Sequence, residues 1–247
     1  MSYYMDETYT TKAIVLNRQP YRENDSRVTV CSLEYGKLVL IARGTATTKS
    51  KMAGHIEPFC FSDFMIVRGK CHSYIGGVAS QNCFSAIKSD LSKLRIVGQV
   101  IAVINKLVKE NEADSRLFFL LHDFLEFLDN NDIKEETIDF FIHAFVLKLM
   151  SGLGYEPELR VCVACGKELK PENNSFDFSR GGLVCGLCQA QNSTIIKNDT
   201  IKLLRCMVKE KFIDLQKLKY DKKISDEAIK NIILFYNYTH PGAGDFK

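Results

Sequence analysis

Two cysteine pairs constrain this chain more than any other feature. Cys162-Val-Ala-Cys165 and Cys185-Gly-Leu-Cys188 are separated by 19 residues, a spacing typical of four-cysteine zinc sites. Two cysteines three apart on a tight turn can direct both sulfurs at one ion. Gly166 and Gly186 let the backbone bend there. Two such knuckles complete a tetrahedron and leave no open coordination position, so the pattern predicts one structural Zn2+ ion. Two short disulfides, or a finger without metal, are the competing readings; a reducing compartment disfavours the first.

The chain holds nine cysteines in all. An odd number cannot pair completely. Cys31, Cys60, Cys71, Cys83 and Cys206 lie on apolar or strand-like stretches and read as small buried hydrophobes. The 247 residues are 46% hydrophobic and 26% charged, which excludes a disordered tail, a collagen or a disulfide miniprotein. The longest apolar candidate, from Ile96 to Val108, is broken by Gly98, Gln99, Asn105 and Lys106, so no membrane span or membrane partner is expected. The first ten residues, MSYYMDETYT, lack the pattern of a secretory signal. A cytoplasmic location is expected.

The formal net charge is +3, but its distribution says more. Residues 1–80 carry +3, residues 81–160 carry −4 and residues 161–247 carry +4. Local potential, not the total, attracts a polyanion.

Residues 10–80 read as β. Short apolar runs at Ala13–Leu16, Val28–Leu33, Leu38–Ala42, Phe59–Val67 and Tyr74–Ala79 alternate with glycines. Glu34-Tyr35-Gly36-Lys37 and Arg68-Gly69-Lys70 read as hairpin turns. Five short strands suit a small closed barrel, because closure removes exposed edges. Residues 83–155 read as helical, with Leu117–Leu128 apolar around much of its circumference and expected to be the central helix. Asn198-Asp199 and Ser225 are the expected caps of two later helices. The expected division is 1–80, 81–160, 161–192 for the finger insertion, and 193–247.

The basic residues of the β region are Lys12, Arg18, Arg22, Arg27, Lys37, Arg43, Lys49 and Lys51, with Tyr21 and Tyr35 nearby. A basic groove with aromatic platforms holds single-stranded nucleic acid by charge along the backbone and stacking on bases. A solvated rim with two turn tyrosines is the alternative. No phosphate loop, dinucleotide fingerprint or nucleophile elbow occurs, so a binding protein rather than an enzyme is expected. His55-Ile-Glu57, taken together with a Cys-x-x-Cys more than 100 residues further on, resembles a zinc-deaminase signature. However, Val161 replaces the proline before the cysteine, and a second cysteine pair closes the site. His72, His122, His143 and His240 show no metal-binding spacing.

Taken in order, Lys12–Leu16, Tyr21–Asp25, Ser32–Leu38, Ala42-Arg-Gly44, Lys49-Ser50 and Glu57-Pro-Phe59 resemble the RecO family of bacterial recombination mediators. Phe145–Pro157, running into Cys162–Cys165, and Phe178–Cys185 extend the resemblance. The helix from Leu91 to Lys109 matches poorly, and the C-terminus lacks a basic ending. The resemblance implies an α+β chain: an N-terminal OB-fold β-barrel, then a helical domain carrying the zinc-finger insertion. It also implies binding and annealing of single- and double-stranded DNA in a nucleoid-associated bacterial protein. The implied partners are RecR and the acidic tail of single-stranded-DNA-binding protein, so that RecA is loaded on coated strands. A zinc-ribbon scaffold that assembles proteins without touching nucleic acid is the alternative function.

Overall fold

The computed structural model describes residues 7–47, 50–191 and 193–243. Strands β1 (Glu7–Tyr21), β2 (Asp25–Ser32), β3 (Gly36–Ala42), β4 (Phe61–Arg68) and β5 (Ser73–Asn82) form a closed barrel in the order β1-β2-β3-β5-β4. All pairings are antiparallel except the short parallel contact of β3 with β5. This is the OB-fold expected from the five apolar runs. Alternate residues fill its interior: Ala13 and Val15, Val28 and Val30, Leu38 and Leu40, Phe64 and Ile66. Side chains of period two leave the intervening positions outside.

β1 is long enough to serve two neighbours. Its residues Glu7–Ile14 pair with β4, and Ala13–Tyr21 pair with β2. An irregularity between Val15 and Asn17 bends it from one partner toward the other. The turn from β2 to β3 depends on Gly36, which has φ +68°, and a Cβ there would overlap the Glu112 carbonyl. Ser32 Oγ donates to the Gly36 carbonyl at 2.8 Å and accepts from the Tyr35 amide at 3.1 Å.

The chain divides into two compact units, Met1–Asp132 and Ile133–Lys247. The first adds α1 (Ser85–Lys88), α2 (Leu91–Leu107) and α3 (Ser115–Asn130) to the barrel. The sequence grouped these helices with the later ones. Their polar links run to the barrel side: Lys37 Nζ donates to the Asn105 carbonyl and the Asn111 amide donates to the Lys37 carbonyl. Asp90 and Asp114 cap α2 and α3.

The second unit holds α4 (Ile138–Gly152), the finger strands β6 (Ser175–Asp177), β7 (Gly182–Val184) and β8 (Thr194–Ile195), then α5 (Asn198–Lys209), α6 (Phe212–Leu215) and α7 (Lys222–Thr239). The most enclosed helix is α4, not the Leu117–Leu128 segment. Every residue from Phe140 to Leu147 is buried, whereas α3 leaves Phe119, Asp123 and Glu126 exposed. Arg116, Asp123 and Glu126 keep one side of α3 in water. Two expected caps also move. Asn198 and Asp199 lie within the first turn of α5, whose start is held by the Glu227 carboxylate, which accepts from the Lys197 amide and the Thr200 hydroxyl. Asp221 caps α7 by accepting from the Lys223 amide, so Ser225 is buried inside the helix.

Two outcomes follow from this packing. Gly36→Ala meets both an unfavourable φ and backbone overlap, and destabilises the first unit by at least about 2 kcal/mol in urea unfolding. His143 is buried in α4, and burial holds its imidazole below the usual range, although its contact with the Asp139 carbonyl works the other way. The unfolded chain takes up that proton near pH 6.5. Stability of the second unit is therefore complete above that pH and is lost as pH falls below it. His143→Gln gives a shallower decline of the unfolding midpoint between pH 7 and 5.

Candidate metal centre and strand-binding cleft

The finger is assembled locally. The Cys162 amide donates to the Lys167 carbonyl and the Gly166 amide to the Cys162 carbonyl, both at 2.8 Å, with Gly166 at φ +71°. The second knuckle is closed by the Cys188 amide on the Cys185 carbonyl at 2.9 Å. Gly186 has an ordinary φ; its role is space, because a Cβ would press on Asn173. The β6–β7 hairpin brings the knuckles together, and the four sulfurs lie within 4.8 Å of one another. Cys162 is buried, Cys185 and Cys188 half-buried and Cys165 exposed.

The donor set fits a soft tetrahedral cation. Burial raises the Cys162 thiol, but amides of Cys185, Cys165 and Ala164 outweigh it and bring it to about 6. The neighbouring sulfurs of Cys185 and Cys165 drive Cys188 up to about 12. Four thiols this close can hold one metal ion, and four thiolate ligands would fill a tetrahedral site of the structural kind. His122 lies 4.0 and 3.9 Å from the carboxylates of Asp123 and Glu126 on α3. Those carboxylates are exposed, and the imidazole packs against Phe61 at 4.9 Å. His55 Nδ1 accepts from the Ser80 amide, so this histidine pins β5.

The other five cysteines divide differently from the expectation. Cys31 is buried, but Cys60 and Cys83 form a disulfide, Cys71 is exposed and Cys206 is half-buried. Cys60 and Cys83 flank the paired residues Phe61 and Asn82, a proximity created by strand pairing across 23 residues.

The eight basic residues expected at the nucleic-acid surface have different fates. Lys12, Arg22, Arg27, Arg43 and Lys51 are exposed. Arg22 lies over the Tyr21 ring at 5.2 Å and Arg43 over Tyr74 at 4.1 Å. Arg18 is turned inward: it donates to Ser26 Oγ, to the Ala53 and Thr45 carbonyls and to the Glu57 carboxylate. Its guanidinium holds the connection between β3 and β4. Lys37 is buried on the Asn105 carbonyl, and burial lowers its pKa. Lys49 lies outside the described residues.

Arg27 opens into a cleft of about 490 Å³ that the sequence did not reveal. Tyr9 and Tyr35 meet there with ring centroids 4.5 Å apart, and the Arg68 guanidinium lies 5.5 Å from the Tyr9 ring. His72 and Ser73 line it from β5 and its turn, and Glu34 and Glu110 also border it. Tyr9 and Arg68 are far apart in sequence; the β1–β4 pairing, Glu7 opposite Arg68, joins them. Guanidinium and tyrosine faces of this kind offer both phosphate contacts and stacking surfaces.

The metal reading has a direct check. Cys162→Ser lowers bound zinc by plasma emission from one ion per chain toward none. It also lowers the melting temperature of the second unit, because metal affinity is folding free energy in such sites.

Comparison with known proteins agrees with this architecture. Residues 5–79 match the family model "Recombination protein O N terminal", and residues 88–242 match "Recombination protein O C terminal". The DNA repair protein RecO of Alkaliphilus metalliredigens is 30% identical over 93% of this chain and 92% of its own length. That of Desulforamulus reducens is 30% identical over 92% and 89%. That of Thermoanaerobacter sp. strain X514 is 33% identical over 93% and 91%. With both halves matched in order, the chain belongs to the RecO family of DNA repair proteins.

Proposed function

We propose that this protein is a non-enzymatic DNA-binding mediator of recombination. It captures strands on the barrel, anneals complementary ones, and helps load RecA on single strands coated by single-stranded-DNA-binding protein. Its protein partners are then RecR and the acidic tail of the coating protein, in a cytoplasmic, nucleoid-associated setting. The finger metal is Zn2+ and has a structural role.

The observation that carries this reading is the tyrosine and arginine cleft of the OB-fold. Tyr9, Tyr35, Arg27 and Arg68 converge there, with Arg22 on Tyr21 and Arg43 on Tyr74 elsewhere on the barrel. Phosphates are held by Lys12, Arg22, Arg27, Arg43, Lys51 and Arg68, and unpaired bases stack on the rings. Arg18 and Lys37 are left out of this contact set: Arg18 donates to four protein acceptors, and Lys37 is buried with its ammonium on the Asn105 carbonyl. Non-enzymatic action is consistent with a four-thiolate metal site without an open position.

Oligonucleotide titration across salt concentration tests the reading. Affinity for oligo-dT falls steeply with salt, and Arg27→Ala or Arg68→Ala lowers the log–log slope by about one each. Tyr35→Ala weakens single-strand binding by about 1–3 kcal/mol while leaving the slope unchanged. Affinity that is absent or independent of salt overturns the DNA reading and leaves the zinc-ribbon scaffold.

A further inference from the structure

Among the described residues of the first unit, the Cys60–Cys83 disulfide covalently links two distant parts of the chain. It stands in a chain whose metal site requires four reduced sulfurs. Metal ligation shields the finger sulfurs, which leaves the Cys60–Cys83 pair able to change state with the redox surroundings while the finger does not.

The local chemistry favours such a change. Cys60 is fully buried, and the Lys88 ammonium on α1 donates to its Sγ at 3.3 Å. Lys88 is the cation positioned to stabilise a Cys60 thiolate; burial lowers its pKa, and the Glu57 carboxylate works the other way and favours the ammonium. Cys83 is half-buried against the barrel core whereas Cys60 is fully buried, so of the two residues Cys83 is the less enclosed toward an external reagent. Cys31 contrasts with both: burial pushes its thiol up to about 12, which makes it inert.

We propose that Cys60 and Cys83 form a reversible dithiol–disulfide site that reacts with low-molecular-weight thiols and disulfides, with Lys88 stabilising Cys60 as the leaving thiolate. In the oxidising direction the Cys83 thiolate attacks a small disulfide RSSR. A Cys83–SR mixed disulfide forms and RS⁻ leaves. The Cys60 thiolate then attacks the Cys83 sulfur, the protein disulfide forms, and a second RS⁻ leaves. The protein loses two electrons and two thiol protons; RSSR gains the two electrons and becomes two thiols. In the reducing direction an external thiolate attacks Cys83 and Cys60 departs as the Lys88-stabilised thiolate; a second thiol releases Cys83.

The consequence is mechanical. Cys60 ends the connection that carries Arg43 and Lys51. Around it the Phe59 amide donates to the Val15 carbonyl, the Val15 amide to the Cys60 carbonyl and the Cys60 amide to the Glu57 carbonyl. The disulfide fastens this end of the connection to the end of β5, and reduction releases that tie.

The test uses the full zinc-loaded chain in glutathione redox buffers, with differential alkylation and mass spectrometry. Cys60 and Cys83 convert together between dithiol and disulfide, while the four finger cysteines stay metal-protected. Lys88→Gln slows reduction of the disulfide by glutathione on the order of tenfold, through loss of leaving-group stabilisation. Cys83→Ser removes the conversion without changing zinc content. Amide hydrogen exchange at Phe59 and Cys60 is faster in the dithiol form. Thiols that persist at the highest glutathione disulfide ratio, or a disulfide that glutathione does not reduce, overturn the proposal. Reduction of Lys88→Gln at the parent rate overturns the role of Lys88, and equal exchange in both forms overturns the mechanical coupling.

Discussion

The barrel exists because one strand pairs on both of its edges. β1 gives Glu7–Ile14 to β4 and Ala13–Tyr21 to β2, and the irregularity at Val15–Asn17 turns it between them. Without that bend the five strands would form an open sheet with two exposed edges. Closure seals the apolar interior around Phe64 and Ile66. It also determines what stands at the rim, since Tyr9 enters the cleft only where β1 runs beside β4 and Arg68.

Arg18 shows how one side chain can change the meaning of a charged surface. Four protein acceptors from β2, the β3–β4 connection and its 3-10 turn surround its guanidinium. Arg18 on β1 is thus a cation turned toward the connection that carries Arg43 and Lys51, and it braces that connection through Thr45, Ala53 and Glu57. Lys37 behaves similarly on the Asn105 carbonyl. Neither burial is visible in a charge count. A net charge of +5 over residues 10–51 therefore overstates the cations that face water.

The finger obeys a different logic. Its ligands lie within two four-residue knuckles, and the hairpin of β6 and β7 is short enough to join them with local hydrogen bonds. Little tertiary context is needed to form it, which is why spacing alone identified all four sulfurs. The helices were legible where apolar residues recur on one side, as in α2 and α7, but their starts were not. A carboxylate from α7 holds the start of α5, and Asp221 precedes the serine that looks like a cap. The most enclosed helix was misjudged for the same reason: α3 and α4 are both rich in Phe and Leu, and only packing shows which of them is covered on nearly every side.

By itself the sequence determined the elements whose signals are local. These are the five strands of period two, the positive-φ turn at Gly36, the amphipathic helices and the cysteine knuckles. Tertiary structure alone decided which distant residues meet: Tyr9 with Tyr35 and Arg68, Cys60 with Cys83, and Arg18 with Glu57. The physical reason is that strand periodicity states which face a residue takes but not which strand lies beside it. Partner, burial and charge exposure are set when the barrel closes.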